Sequence, residues 1–178
     1  MAAARANAGW AYQRLYEAHA RPVAAYARGQ GSEDPDGLVN DVFLRAFRSL
    51  DRFQGDEDGF RAWLFVIARN ALIDERRRRD RRPQVTGAVA LDGPMPGGGP
   101  LPDGAEGQAL ERIGAQRVRE VLGELSPEQR DVLLLRIVAD LTVEQVARVL
   151  GKQPGAVKQL QRRGLDALRR RLTDEGEW

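Results

Sequence analysis

The chain has 178 residues, with 28 Lys and Arg against 26 Asp and Glu, one His and no Cys. The absence of cysteine excludes a disulfide framework and a thiolate metal site. A hydrophobic share of 42% supports a core, and the length suits one domain or two small ones.

The near-balanced charge hides an asymmetry, because the basic residues cluster in two places. The Ala-rich start, residues 1–9, lacks the apolar run of a signal peptide, and no stretch approaches the ~20 apolar residues of a membrane span. The expectation is a soluble cytoplasmic protein with no membrane partner.

Residues 10–29 predict a helix with Leu15, Tyr16, His19, Val23 and Tyr26 on one side, and Pro22 predicts a kink or restart within it. His19 is the only histidine, and no partner of its own kind lies nearby for a metal or catalytic role, so it reads as an ordinary packed or partly exposed histidine. Residues 29–35 read as a turn, in which Ser32, Asp34 and Pro35 start the next helix. That helix is expected over residues 36–50, with Leu38, Val39, Val42, Phe43, Ala46, Phe47 and Leu50 inward and Asp41, Arg45 and Arg48 outward. Residues 51–59 form a polar loop around Phe53. The ring either stacks on an unpaired base or tucks into the core.

The stretch from Phe60 to Pro83 dominates the first half of the chain. Phe60, Trp63, Leu64, Ile67, Ala71 and Leu72 recur at helical spacing and predict a buried stripe, with Arg61, Arg69 and Asn70 on the other face. The second half turns to arginine, at Arg76, Arg77, Arg78, Arg79, Arg81 and Arg82. Eight arginines oppose three acids across the stretch. So dense a positive field attracts phosphates and releases their counterions. A solvated helix end is the plainer alternative, but a second basic helix downstream favours nucleic acid.

Residues 84–109 hold seven Gly, four Pro, three acids and no Lys or Arg. Such a composition cannot bury enough apolar surface to offset ordering, and predicts a flexible linker. The expected architecture is therefore all-α: an N-terminal helical domain over 8–83, the linker over 84–109, and a C-terminal domain over 110–173. In the second domain a helix is expected from Leu110 to Leu125. Ser126-Pro127-Glu128 starts another that runs to about Asp140, and Thr142 to Gln145 has the form of a capping box. Gly151 ends the short helix that follows, and Pro154 opens the last, which runs to about Leu172. Short helix, Gly turn and basic helix form a helix-turn-helix. Lys158, Gln159, Arg162 and Arg163 stand at the exposed start of the second helix, where Gln and Arg can read base edges in the major groove. Arg169, Arg170 and Arg171 also read as outward.

Three blocks resemble the extracytoplasmic-function (ECF) sigma factors of bacterial RNA polymerase. Asp41-Val42-Phe43-Leu44-Arg45-Ala46-Phe47 is similar to the helix that grips the polymerase clamp. Phe53-Gln54-Gly55-Asp56, Trp63-Leu64 and Ile67-Ala68-Arg69-Asn70 are similar to the promoter-melting block. Leu141 to Ala147, with Gly155-Ala156-Val157-Lys158, is similar to the family's helix-turn-helix. Gln159 and Leu160 stand where the family usually has a small hydroxyl residue and Arg.

The resemblance implies core RNA polymerase and promoter DNA as partners, together with an anti-sigma factor. It implies that Asp41, Leu44 and Arg45 face the clamp. Asn70, with the loop around Phe53 and with Arg69 beside it, would hold a base flipped from the minus-ten element, and Arg76 to Arg79 would touch the adjoining backbone. Lys158, Gln159, Arg162 and Arg163 would read the minus-thirty-five element. A free-standing helix-turn-helix regulator that binds operators as a dimer is the alternative. No catalytic site, metal site, cofactor or small-molecule substrate is expected, since one His, no Cys and no phosphate-cradling Gly loop leave no chemistry to build on.

Overall fold

The computed structural model describes residues 8–81 and 120–174, together with residues 1, 4, 117 and 118. The expected linker over 84–109, and most of the helix expected from Leu110, lie outside the described residues. Among the described residues the regular structure is helical, with no strand.

Helix α1, Gly9–Gly29, buries Ala11, Leu15, His19, Val23, Ala24, Tyr26 and Ala27. Pro22 lies inside it without a restart, which leaves a kink as the expected consequence of the proline. Proline removes one backbone hydrogen bond and crowds the preceding turn. Here Val23, Tyr26 and Ala27, all without solvent exposure just beyond it, hold the helix on the core.

Helix α2, Pro35–Arg48, starts where the Asp34 carboxylate accepts from the Gly37 amide at 2.9 Å. It ends two residues before the expected Leu50, because Leu50–Arg52 tighten into a 3-10 turn that sinks Leu50 into the core. Helix α3, Glu57–Arg81, starts where Asp56 accepts from the Gly59 amide at 2.8 Å. Its buried face is broader than the predicted stripe. Phe65 and Ala68 are fully buried along with Phe60 and Leu64, while Trp63 and Ile67 sit at the margin. The reason is that α3 packs against α1 and α2 and also against the C-terminal domain, so its apolar arc spans more than one neighbour.

In the C-terminal domain, α4 (Pro127–Ile137), α5 (Val143–Leu150) and α6 (Pro154–Asp174) pack on one another. Reciprocal capping boxes start α4 and α5. Ser126 and Gln129 bond each other's amides at 3.1 and 3.3 Å, and Thr142 and Gln145 do the same at 2.8 and 3.2 Å. Helix α4 stops short of the expected Asp140, which itself adopts a left-handed backbone at φ 50°. Gly151 ends α5 in the left-handed region at φ 63°, where a side chain is disfavoured. Gly164 allows α6 to approach α4 closely, since a Cβ there would lie 2.9 Å from a methyl of buried Leu133.

The two domains touch. Asp131 of α4 accepts from the Tyr26 hydroxyl at 2.8 Å, from the Gln30 amide, and from Arg69 Nε at 3.3 Å. Arg61 pairs with Asp140 at 3.3 Å, and the Gln145 amide donates to the Asp58 carbonyl at 3.2 Å.

Candidate nucleic-acid interface

The N-terminal site grows from the junction between α2 and α3. The loop that follows the 3-10 turn brings Phe53 back against α3, where its ring stacks on Trp63 with centroids 5.0 Å apart and planes 29° apart. Its edge meets Phe60 at 5.8 Å and 81°. Phe53 is only 9% exposed, so the ring is tucked in rather than splayed into solvent. The loop needs glycine to close over it, because a Cβ at Gly55 would come within 2.6 Å of the Phe53 ring. The Phe53 and Trp63 rings, Ile67 and Asn70 line an open cleft of about 360 Å³, with Arg45, Ser49 and Arg52 around them. Both Asn70 and Arg52 are exposed. Flat aromatic walls, an amide and guanidinium groups on one cleft are the groups that hold an unstacked base.

The structure brings only part of the expected minus-ten set to this cleft. Phe53 and Asn70 share it. Arg77 and Arg78 are exposed on the following turns of α3, and Arg79 reaches Glu33 at 3.7 Å. Arg69 and Arg76 point elsewhere. Arg69 turns to Asp131, and Arg76 donates to the Gln30 carbonyl at 2.9 Å and to its side-chain oxygen at 2.8 Å. Trp63, read from sequence both in the apolar stripe and in the block similar to the promoter-melting one, packs half-buried against the core and walls the cleft. Arg52 was not singled out at all. Its signal was weak, being one arginine in a polar loop.

The residues expected to meet polymerase lie on α2. Arg45 binds Asp41 at 2.7 Å and Asp74 at 3.4 Å, which ties α2 to α3. The hydrogen bond that Arg45 donates to Asp41 holds the guanidinium still more firmly protonated than usual. Leu44 is 49% exposed beside this pair. Apolar side chain and fixed charges therefore share one side of the helix.

In the C-terminal domain the buried Val157 anchors the start of α6, and Lys158, Gln159, Arg162 and Arg163 are exposed around it. Lys158 stands one turn from Arg162, and Gln159 one turn from Arg163, forming two neighbouring ladders. Lys158, Arg162 and Arg169 also border a shallow groove with Gln161 and Asp166. Gln161 is half-buried and accepts from Arg136 at 3.3 Å. Arg171, expected outward, is exposed but pairs with Glu124 at 3.1 Å.

His19 is buried and tilted against Phe60 at 5.7 Å, and its Nε2 has no hydrogen-bond partner among the described residues. Burial, helped by the charge of Arg61, lowers its pKa below the ordinary histidine value. Among the described residues no group of three or more His, Cys, Asp or Glu could hold a metal ion. No described helix is long and apolar enough to cross a membrane.

Two helical modules, one carrying an aromatic cleft beside a row of arginines and the other a helix-turn-helix with a basic second helix, define a bipartite DNA-binding protein. Comparisons with known proteins agree. Residues 15–82 match the family described as Sigma-70 region 2, and residues 121–170 match Sigma-70, region 4. The chain is 33% identical over 175 residues to the ECF RNA polymerase sigma factor BldN of Streptomyces coelicolor, covering 96% of this chain and 64% of BldN. It thus spans slightly less than two thirds of that relative's length. It is 35% identical over 152 residues to the RNA polymerase sigma factor CnrH of Cupriavidus metallidurans, covering 83% of this chain and 79% of CnrH. The ECF sigma factor ShbA of Streptomyces griseus is 31% identical over 163 residues, covering 85% of this chain and 83% of ShbA. A solved structure of CnrH in complex with the cytosolic domain of CnrY aligns with 98% of this chain and 96% of that chain, at a TM-score of 0.72 and 27% identity. The chain belongs to the ECF sigma factors of bacterial RNA polymerase.

Proposed function

We propose that this chain is a dissociable initiation factor that binds core RNA polymerase, directs it to promoters and assists their opening. In this reading residues 8–83 form the module for the polymerase clamp and the minus-ten element, residues 84–109 the tether, and residues 110–173 the module for the minus-thirty-five element. The chain works in the cytoplasm and has no catalysis of its own, because it lends specificity to the polymerase active site.

The observation that carries the reading is the Phe53–Trp63–Asn70 cleft at the foot of an arginine row. Opening DNA requires somewhere to put an unstacked base, whose extrusion costs a few kcal/mol, and cations to hold the freed strand. Asn70 is the residue for the base edge, the half-buried Trp63 ring, backed by the tucked-in Phe53, supplies the stacking face, and Arg77 and Arg78 hold the backbone. Asp41, Leu44 and Arg45 meet the clamp. Lys158, Gln159, Arg162 and Arg163 read the upstream element. An anti-sigma protein is the expected regulator, by likeness to CnrH, whose solved complex contains the cytosolic domain of CnrY.

The test is transcription reconstituted from purified chain, core polymerase lacking its specificity subunit, and a genomic promoter library. Discrete start sites that depend on the chain support the proposal. Failure to associate with core polymerase overturns it, and tight operator binding by a dimer without polymerase replaces it with the regulator reading.

A further inference from the structure

The functional reading leaves Asp131 and its three donors without a role. Asp131 lies at the start of α4, far in sequence from the minus-ten module, yet its carboxylate is only 18% exposed. Burying a carboxylate is unfavourable unless donors replace its water. Here three do so, Tyr26, Gln30 and Arg69, all from the other domain. The site is pre-set by its own neighbours. Arg76 grips the Gln30 side-chain oxygen at 2.8 Å, which leaves the Gln30 amide aimed at the carboxylate. Tyr26 is fully buried, and burial together with the Asp131 charge raises its pKa well above the ordinary tyrosine value, so its hydroxyl remains a donor. One guanidinium, one amide and one hydroxyl converging on a single anion also suit a phosphodiester oxygen.

Distance requires that this arrangement be temporary. The inference rests on the initiation-factor reading, in which the two modules engage elements about 25 base pairs apart, roughly 85 Å at 3.4 Å per pair. Two touching modules of this size place their centres only roughly 30 Å apart. The closed chain therefore cannot read both elements. Residues 82–116, 35 in number, can extend to roughly 120 Å, so parting the modules does not strain the chain.

We propose that Tyr26, Gln30 and Arg69 form a phosphate-binding site of the minus-ten module. Asp131 fills it while the modules are closed, and a DNA backbone phosphate fills it once they part. Asp131 is thus an internal mimic of DNA and a latch against free promoter binding.

The chain has no cysteine of its own, so Arg14→Cys and Arg170→Cys can carry a dye pair that reports closure by energy transfer. Asp131→Asn keeps the shape of the latch and removes its charge. Gly29→Val opens the joint by a different route, since a Cβ at Gly29 would come within 2.7 Å of the Leu134 side chain on α4. In the full chain without polymerase, both variants are expected to lower transfer. Both should also raise affinity for a short fluorescent single-stranded DNA of mixed sequence at least fivefold. Adding Arg69→Gln to Asp131→Asn should abolish the gain and reduce the slope of log affinity against log salt by about 0.7, the loss of one phosphate contact on a single strand. With wild-type transcription intact, unchanged transfer in both single variants overturns the latch, and lost transfer without a gain in affinity overturns the phosphate site. Failure of transcription itself would instead count against the initiation-factor reading.

Discussion

Asn70→Ala isolates the cleft from the fold. The Asn70 side chain is exposed on α3 and borders the cleft with Phe53 and Trp63. Surface substitutions of this kind usually change stability by no more than about 0.5 kcal/mol, so the melting temperature should be unchanged. Its polymerase affinity should also be unchanged, because Asp41 and Leu44 project from α2 and Arg45, though it borders the same cleft, is held by Asp41 and Asp74 and not by Asn70. Promoter opening should suffer. A side-chain amide that reads a base edge contributes about 1–3 kcal/mol, and at about 1.4 kcal/mol per tenfold this is roughly a 5- to 150-fold loss in the open-complex equilibrium. Permanganate reactivity of unpaired thymines, measured beside a competition assay for core polymerase, separates the two quantities. Equal losses in both assays, or full opening by the variant, would refute the role of Asn70.

Three further outcomes test other parts of the molecule. Arg162→Ala and Arg163→Ala should each shrink the upstream footprint at a cost of about 1–3 kcal/mol where a base is read, and an unchanged footprint would remove them from the interface. Gly151→Ala meets no atom within 4 Å, so its cost is that of a left-handed backbone, about 1–2 kcal/mol, or a fall of roughly 4–8 °C or more in the melting temperature of the C-terminal domain. Gly151→Asn should lose less, and equal losses would show that the turn is not conformationally limited. Burial depresses the pKa of His19, so the unfolded chain takes up this proton first as pH falls. Stability is then full above the unfolded value of about 6.5 and declines as pH drops toward the folded value. Urea midpoints at pH 7.5 and 5.5 should differ less in His19→Leu than in the wild type, and identical pH dependence would refute the assignment.

What could be read from the chain beforehand followed the range of the interaction. Capping is local, so Ser126, Thr142 and Gly151 marked their helix ends correctly. The basic ladder from Lys158 to Arg163 was equally plain, because Val157 and the residues around it obey one helical period. Of the kink or restart that Pro22 predicts, the restart is absent, because the packing of Val23, Tyr26 and Ala27 favours continuity. The width of the α3 buried face was missed for a related reason: Phe65 and Ala68 are buried by neighbours that a single helical stripe does not reveal. Trp63 shows how an aromatic at a core-like spacing can stand at the rim of a cleft. Arg69 and Asp131 lie 62 positions apart, and nothing near either residue marks the pair. An arginine beside Asn70 reads naturally as a DNA contact, and only the docking of the second domain reveals its carboxylate partner.

The amide of Gln145 serves two masters. Its oxygen caps the first helix of the helix-turn-helix, while its nitrogen reaches the Asp58 carbonyl at the entrance to α3. Glutamate would satisfy the first duty equally well and fail the second, setting oxygen against oxygen across the joint. Exchange of that one group at this position would therefore loosen the union of the modules while leaving the start of α5 capped.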